Sequence, residues 1–533
     1  MSTLARRLRS ALSAFLFLTT TAAGAAAQGT APVPGGTLVA VVEPEPVALN
    51  SIVNNNYPQS IVTSNVFDGL VIYDENFIPR PSLAESWETA PDGLSITFHL
   101  RRGVTWHDGQ AFTARDVRYS ALELWKKFHP RGRTTYAAVQ DVETPDDHTA
   151  VFRLKYPSVV ITSALAAAES PVLPAHLYEG TEPLKNPYNL KPVGTGPFVF
   201  KDWKKGQYIE LARNPNYWLA GRPYLDRVIF RTIPDAASRA AALETGEVQY
   251  APFDAVPFAD VKRLSTLPSL VVDTRGYDFQ SQFLMLEFNL KNPQLANLKV
   301  RQAIAHAIDR QGLIDTVWYG FGKPATGPVP SHLTRFYEPG VAHQDFDRAK
   351  AEKLLDEAGY PRQANGIRLT ITQDFLPMSD GHRVSSEYVR QNLKQVGIEL
   401  GVRGQDMAAY TRRIYTDYDF DTQIGQYSTM IDPEMGLFRK LLSTNYIKGV
   451  PNMNASSYAS PKLDALAAAI RAEPDAGARA GLIRDLQRVV QDDLPFLSLT
   501  EMVHVTVHSA RLHGLNHAPD GALASFRDAW LAP

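Results

Sequence analysis

The chain has 533 residues, of which 44% are hydrophobic and 21% charged, with a formal net charge of −2 at pH 7 and no cysteine. This length predicts two or three domains with sizeable cores, and the lack of cysteine excludes disulfides as a source of stability. The near-neutral, slightly acidic charge balance is a poor match for nucleic acid or an anionic membrane surface, so we expect no nucleic-acid partner.

The N-terminus has the pattern of a secretory signal peptide. Three arginines within the first nine residues precede an apolar run over 11–18, and a stretch of small residues ends at Ala27. The apolar run is shorter than the roughly 20 residues that span a bilayer. We therefore predict a signal peptide over 1–27. Since no cysteine follows it to carry a lipid, we expect an unanchored protein in the periplasm.

The first half of the mature chain shows short stretches of alternating polar and apolar residues, typical of half-buried strands. Between two of them, Thr113 is a suitable helix N-cap, with Asp116 three residues later to complete a capping box. The predicted strands are Leu38–Val42, Ser95–Arg101, Thr149–Leu154 and Tyr208–Ala212.

After a strand at Leu284–Leu290, helices alternate with strands in the pattern of an α/β lobe. A long helix over Val300–Val317 presents one apolar face. A second helix begins at an acidic N-cap, Asp347, and stops before Gly359. A third helix over Ser385–Val396 leads into a strand at 398–402.

Seven segments stand out along the chain. The first is AESWETAPDGLSITFHLRRGVTWHDGQAFTARDV, and the second contains GTGPF, RNPNYW and PYLDRV. They occupy residues 84–117, 193–235, 242–250, 298–314, 322–330, 346–361 and 458–499. In this order they resemble the dipeptide/oligopeptide/nickel-type solute-binding proteins of ABC importers. Each segment alone is weak evidence, whereas seven in sequence are strong.

The resemblance implies an α/β, two-lobed periplasmic binding protein with strands that cross a hinge and an extra subdomain in lobe one. We expect lobe one over 28–285, including a subdomain at about 71–190. Lobe two is expected over 286–494, followed by a C-terminal return to lobe one over 495–533. It further implies a monomer that delivers a small solute to an inner-membrane ABC permease, without enzymatic activity or a cofactor.

The clearest candidate for a ligand-binding segment is QIGQYSTMIDPEMGLF, residues 423–438, which overlaps the end of a predicted strand over Tyr418–Ile424. In the peptide-binding members, the equivalent loop presents a tryptophan and then an aspartate that pairs with the α-ammonium of the peptide. The aspartate position falls here on Thr429, and the tryptophan position on Gln426 or Tyr427. Tyr427 could stack on a ligand, and Gln426 and Thr429 could hydrogen-bond to it, but the usual carboxylate is missing.

The opposite wall of the binding site is expected in lobe one. Its asparagine-rich segment is either part of a ligand-binding surface or an ordinary polar loop. The arginines of the subdomain are either ligand-binding or simply exposed to solvent. Glu169 is the candidate to replace the missing ammonium partner. The lobe-one candidates are Asn55, Asn56, Tyr57, Arg133, Tyr136 and Glu169.

Motifs of competing chemistry are missing from the sequence. It contains no G-x-S-x-G elbow, no H-E-x-x-H pair and no Walker lysine loop, and its 13 histidines are scattered. We therefore predict no catalytic residue, no metal site and no cofactor. The predicted solute is a peptide or peptide-like molecule. The alternatives are an opine, a sugar conjugate or an oligosaccharide, and, from another class of function, a secreted hydrolase.

Overall fold

The computed structural model describes residues 31–533, so the predicted signal peptide lies outside the described residues. Within this range the strands form two large mixed sheets, one four-stranded antiparallel sheet and two short strand pairs. In spatial order, the first large sheet contains Leu270–Asp273, Thr506–Ser509, Tyr250–Ala251, Thr37–Val41, Arg227–Arg231, Tyr208–Arg213 and Phe198–Lys204. The second contains Gly322–Pro324, Phe496–Met502, Gln282–Phe288, Thr422–Ser428, Leu369–Phe375 and Ile398–Arg403.

The four-stranded sheet lies within the predicted subdomain of lobe one. Its strands, in spatial order, are Ala84–Thr89, Ser95–Leu100, Thr149–Leu154 and Val139–Asp146. The two short pairs join Val71–Tyr73 to Pro79–Pro81 and Leu512–His513 to Trp530–Leu531.

Helices pack on both large sheets and on the subdomain. Those of six or more residues are Tyr57–Thr63, Ala114–Tyr119, Ala236–Glu244, Phe258–Leu264, Leu298–Ala307, Arg310–Val317, Arg348–Glu357, Asp380–Gln395, Met407–Arg412, Pro461–Ala472 and Ala476–Asp493. Shorter helices are Lys126–Phe128, Gly132–Thr135, Ala175–Tyr178, Pro293–Ala296, Pro433–Gly436 and Phe438–Leu441, and π-helical turns occupy Ser120–Trp125 and Arg413–Asp417. Within residues 31–533, no helix is long and apolar enough to cross a membrane.

Two chain segments cross between the large sheets, at 274–281 and 503–505. Strand Phe496–Met502 pairs antiparallel with Gln282–Phe288, and both belong to the second sheet. The predicted boundary at 285/286 therefore falls inside a strand of the second sheet. The expected return to lobe one at 495 comes one strand too early, because the chain rejoins the first sheet only at Thr506–Ser509.

The second sheet separates two apolar cores, and its central strand contributes to both. Leu284 and Leu286 face one cluster, while Phe283 and Met285 face the other. This alternation follows from the two-residue period of a strand. A separate large core fills lobe one and its subdomain, with Trp125 fully buried within it.

Local predictions hold where short-range signals are strong. The capping box is present, with the carboxylate of Asp116 accepting from the Thr113 backbone N–H at 2.9 Å. Asp347 caps helix Arg348–Glu357 as predicted. The single helix predicted over Val300–Val317 is wrong. The chain is extended at Ile308, and the carboxylate of Asp309 caps a new helix by accepting from the Gly312 N–H at 2.9 Å.

Two other predicted elements are displaced along the chain. The helix expected over Ser385–Val396 begins earlier and occupies Asp380–Gln395. A strand expected over Tyr418–Ile424 instead runs from Thr422 to Ser428, because Tyr418 takes a left-handed conformation (φ 54°) that ends the preceding π-helical turn.

Candidate solute-binding cleft

A cleft lies where the two crossing segments join the sheets. It consists of two adjoining chambers of about 550 Å³ and about 700 Å³, called here the first and the second chamber. Lobe one, the crossing chain and lobe two all contribute to the wall that the chambers share. The shared residues are Pro44, Tyr57, Gln280, Gln282, Met378 and Gln426.

The asparagine-rich loop of lobe one lines the first chamber and leads into helix Tyr57–Thr63. Asn56 stands at the N-cap position of this helix, although its side chain makes no capping hydrogen bond. The ring of Tyr57 stacks on Phe253 with centroids 4.5 Å apart, and its hydroxyl donates to the carbonyl of Glu43. Burial, and then the nearby carboxylates, raise the pKa of Tyr57 to about 12. Tyr57 is therefore a neutral, fixed part of the wall.

Beside this loop, Arg131 lines the first chamber and forms a buried ion pair with Glu169. Arg131 Nε lies 2.7 Å from Glu169 Oε1, and Nη2 donates to the other carboxylate oxygen. Burial alone would raise the pKa of Glu169, but the Arg131 charge outweighs it and holds that pKa below its usual value. With its amide oxygen turned toward Arg131, Asn55 accepts from Nη1 at 3.0 Å and Nη2 at 2.6 Å.

This geometry does not suit Glu169 to the role of a partner for a ligand ammonium group. The carboxylate side chain is only 4% exposed and already has a bidentate cationic partner. It lies behind Arg131 rather than on the chamber surface, so it is not an available partner for a ligand ammonium group. Its function in the cleft is to neutralise and orient Arg131.

In lobe two, strand Thr422–Ser428 divides the predicted residues between its two faces. Gln426 is partly exposed and faces both chambers. Tyr427 packs its ring on Phe283 with centroids 5.1 Å apart, and its hydroxyl donates to the carbonyl of Pro328 at 3.0 Å. Thr429 is fully buried and donates to the same carbonyl at 2.9 Å.

The expected stacking of Tyr427 and hydrogen bonding of Thr429 to a ligand are thus not supported by the side-chain positions. Residues 426, 427 and 429 cannot all face the cleft, since neighbouring residues of a strand point to opposite sides. Gln426 is the one of the three with a partly exposed side chain, whereas Tyr427 borders the first chamber but is 5% exposed, with its ring packed on Phe283.

The two predicted residues of the subdomain have different outcomes. Tyr136 is buried against Trp125, with centroids 5.5 Å apart, and its hydroxyl contacts Ser170, so it is a core residue outside the chamber lining. Burial raises its pKa well above the usual range. Arg133 lies in the short helix Gly132–Thr135, but its side chain is outside the described residues.

Several cleft residues were missed because no local motif indicates them. Arg439 and Lys440, in helix Phe438–Leu441, line the first chamber. Lys440 Nζ lies 3.2 Å from Glu287 Oε2 beneath the chamber surface. Burial alone would lower the pKa of Lys440, but the Glu287 charge reverses this and raises it. Other polar or aromatic side chains missed in the first chamber include Gln59, Gln280, Gln282, Tyr410, Tyr415 and Ser428.

The second chamber has a more apolar and aromatic wall, which includes Phe253, Phe258 and Trp318. His382 also lies there, with Nδ1 2.8 Å from the hydroxyl of Ser379. Burial lowers the pKa of His382 to about 4, so this imidazole is neutral at pH 7. An aromatic wall with a few fixed polar groups is suited to holding a small organic solute.

The wall of the cleft presents groups that can bind a small solute. In residues 31–533, no group of three or more histidine, aspartate or glutamate side chains is placed to hold a metal ion. The wall instead offers amides, hydroxyls, aromatic rings and charged groups from both lobes. Closure of two lobes around a solute is a common use of such a hinged arrangement.

The family model described as "Bacterial extracellular solute-binding proteins, family 5 Middle" matches residues 79–448. This chain belongs to that family. Family 5 proteins bind solutes, and the two-lobed α/β fold expected from the sequence is confirmed by solved structures of the same architecture. The family is one of extracellular proteins, in agreement with an exported location.

Individual relatives cover nearly the whole chain. The oligopeptide-binding protein AppA of Bacillus subtilis (strain 168) is 29% identical over 517 residues, covering 94% of this chain and 92% of AppA. The glutathione-binding protein GsiB of Pectobacterium atrosepticum is 29% identical over 487 residues, covering 89% and 90%.

Two solved structures show the same fold at similar identity. AppA from Bacillus subtilis in complex with a nonapeptide superposes with a TM-score of 0.79 at 27% identity, covering 94% of this chain and 100% of that chain. The binding protein AgaA from A. tumefaciens R10, in complex with agropinic acid, has a TM-score of 0.77 at 26% identity, covering 93% and 99%.

Proposed function

We propose that this protein captures a peptide or peptide-like solute in the cleft between its lobes and delivers it to an inner-membrane ABC permease. The observation that carries the proposal is the shared wall of the two chambers, to which lobe one, the crossing chain and lobe two each contribute. A solute bound there contacts both lobes at once. It therefore favours the closed form, which would be the form recognised by the permease.

The substrate class rests on two further considerations. AppA is named for oligopeptides and GsiB for glutathione, which supports a solute with peptide bonds. AgaA binds agropinic acid, which keeps an opine or a sugar conjugate as the second candidate. The observation favouring that candidate is Thr429, which is buried at the position expected to hold an aspartate.

We further propose that the mature chain acts as a monomer in the periplasm, exported through the signal peptide at 1–27, and that it has no enzymatic activity and needs no cofactor. The order of an arginine-rich start, an apolar run and small residues supports export. The lack of a recognisable nucleophile–base motif supports a binding role.

Native mass spectrometry of the gently purified, exported chain tests this function. We expect a discrete extra mass that is lost on denaturation. In Gln426→Trp, the new indole should fill the shared wall and remove that mass, whereas Gln363→Trp on the exposed surface should retain it.

Two results would count against the proposal. The first is retention of the solute by Gln426→Trp, which would place its site elsewhere. The second is hydrolysis of added peptides by the unmodified protein that is lost in Gln426→Trp. This result would support the hydrolase alternative.

A further inference from the structure

Most charged side chains on the cleft wall already have partners within the protein. Arg131 is paired with Glu169, and Lys440 with Glu287. In the second chamber, the carboxylate of Asp254 accepts from the backbone N–H of Val505 and contacts His504 at 2.7 Å. Arg239 donates to backbone carbonyls of residues 233, 234 and 255. These groups shape the cleft but have little unused capacity for a ligand.

Arg439 is the exception in the first chamber. Its side chain is partly buried on the wall, yet within the described chain its guanidinium makes no hydrogen bond and no ion pair. Burial, followed by the positive charge of Arg131, lowers the pKa of Arg439. The five N–H donors of its planar fork therefore have no hydrogen-bonding or ion-pairing partner within residues 31–533.

Glu43 is the corresponding exception in the second chamber. It follows strand Thr37–Val41 of lobe one and lines the chamber wall. Its backbone carbonyl accepts from Tyr57, but its carboxylate has no partner in residues 31–533, and Oε2 is buried. A desolvated carboxylate without a hydrogen bond is costly, so a cationic donor from a ligand would stabilise it.

The two unpaired charges are opposite in sign and lie in adjoining chambers. We infer that the cleft selects a dipolar solute, whose anionic group binds Arg439 and whose cationic group binds Glu43. This inference rests on the proposed function and names the solute class. It assigns to Glu43 the ammonium recognition that neither Thr429 nor the neutralised Glu169 provides.

The placement of the two charges also favours closure. Glu43 belongs to lobe one, whereas Arg439 lies in a helix packed on the second sheet. A solute that satisfies both charges therefore bridges the lobes, and it does so fully only when they are closed. The free energy of these contacts is then available to shift the equilibrium toward the closed form.

Matched tripeptide libraries test this inference on the full exported chain. One random library has free termini, the second is amidated at the C-terminus, and the third is acetylated at the N-terminus. Charge-assisted hydrogen bonds predict that each modification weakens binding by about 10- to 100-fold. Arg439→Gln should remove the preference for the free carboxylate, and Glu43→Gln the preference for the free amine.

The surface variants Arg390→Gln and Glu399→Gln are matched controls, because both residues are exposed and outside the chambers. They should bind all three libraries like the unmodified protein. Urea unfolding of every variant separates a loss of affinity from a loss of fold.

The outcomes separate this inference from the proposed function. Equal binding of the three libraries overturns the inference while leaving solute binding intact, as does an unchanged preference in Arg439→Gln and Glu43→Gln. If no library binds, the solute released from the unmodified protein is identified and used instead. A dipolar solute that binds more weakly to both variants supports the inference. Any other solute overturns it. A chain that binds no solute at all overturns both proposals.

Discussion

Replacing Arg131 with methionine should destabilise the protein strongly at neutral pH. The substitution leaves the carboxylate of Glu169, 4% exposed, without its bidentate partner. His129 Nε2 lies 3.7 Å away, but burial lowers the pKa of His129 to about 4, so the imidazole is neutral at pH 7 in the unmodified protein. Removing one partner of a buried ion pair costs about 3–5 kcal/mol. We expect about 3 kcal/mol, the lower end of this range, because Arg131 is 16% exposed at the edge of the first chamber.

The pH dependence gives a second test of the same pair. In the unmodified protein the folded-state pKa of Glu169 is lowered, so the pair contributes stability above the unfolded pKa of about 4.3 and loses it as the pH falls through the folded value. In Arg131→Met, the buried carboxylate instead gains a proton readily. The difference in unfolding free energy should therefore be largest near pH 7 and shrink toward pH 4.

Urea unfolding followed by circular dichroism measures both quantities. A double-mutant cycle with Glu169→Gln should show strong coupling, because the two side chains act on each other directly. Arg153→Met is the matched control, since its pair with Glu143 is about half exposed and screened by solvent. An Arg131→Met midpoint as little changed as that of the control, or additive effects in the cycle, would refute the reasoning.

Three further substitutions have definite expected results. Tyr427→Phe should cost about 1 kcal/mol in unfolding free energy through the lost hydroxyl bonds, yet leave solute affinity unchanged in calorimetry; weaker binding would mean that the Tyr427 hydroxyl contacts the solute. Gly436→Ala places a Cβ 2.0 Å from the Ser428 carbonyl oxygen and should destabilise the protein by about 1–3 kcal/mol. Gly481→Ala, in an open helical position, should instead stabilise it slightly. Equal urea unfolding midpoints for the two variants would contradict the close approach at Gly436. Asp520 is buried and its pKa is raised to about 7, so stability falls as the pH rises from about 4 to 7. Asp520→Asn should be more stable than the unmodified chain above pH 7, by up to about 4 kcal/mol, and a pH-independent difference would contradict this.

Local sequence signals predicted those elements that local interactions determine. The capping box at Thr113 and the helix beginning at Asp347 each depend on a side chain that bonds to a backbone N–H three residues away. The break at Asp309 shows the limit of apolar periodicity. Two consecutive helices can share one apolar face, so an extended residue between them does not disturb the pattern.

The candidate site was harder to predict, because its residues meet only through the tertiary fold. Part of the predicted segment 423–438 borders the first chamber, but the strand register decides which of Gln426 and Tyr427 exposes its side chain there. Glu43 and Arg439 carry no motif and lie almost 400 positions apart. Their significance is visible only after the partners of every other charge on the wall are known.

Hydrogen-exchange mass spectrometry with the solute that the purified protein releases, added back at saturation, tests the central claim most directly. Binding between the lobes predicts slower exchange in two segments at once, residues 54–59 of lobe one and residues 426–440 of lobe two. Protection confined to one lobe, or located away from both chambers, would contradict capture of the solute in the cleft.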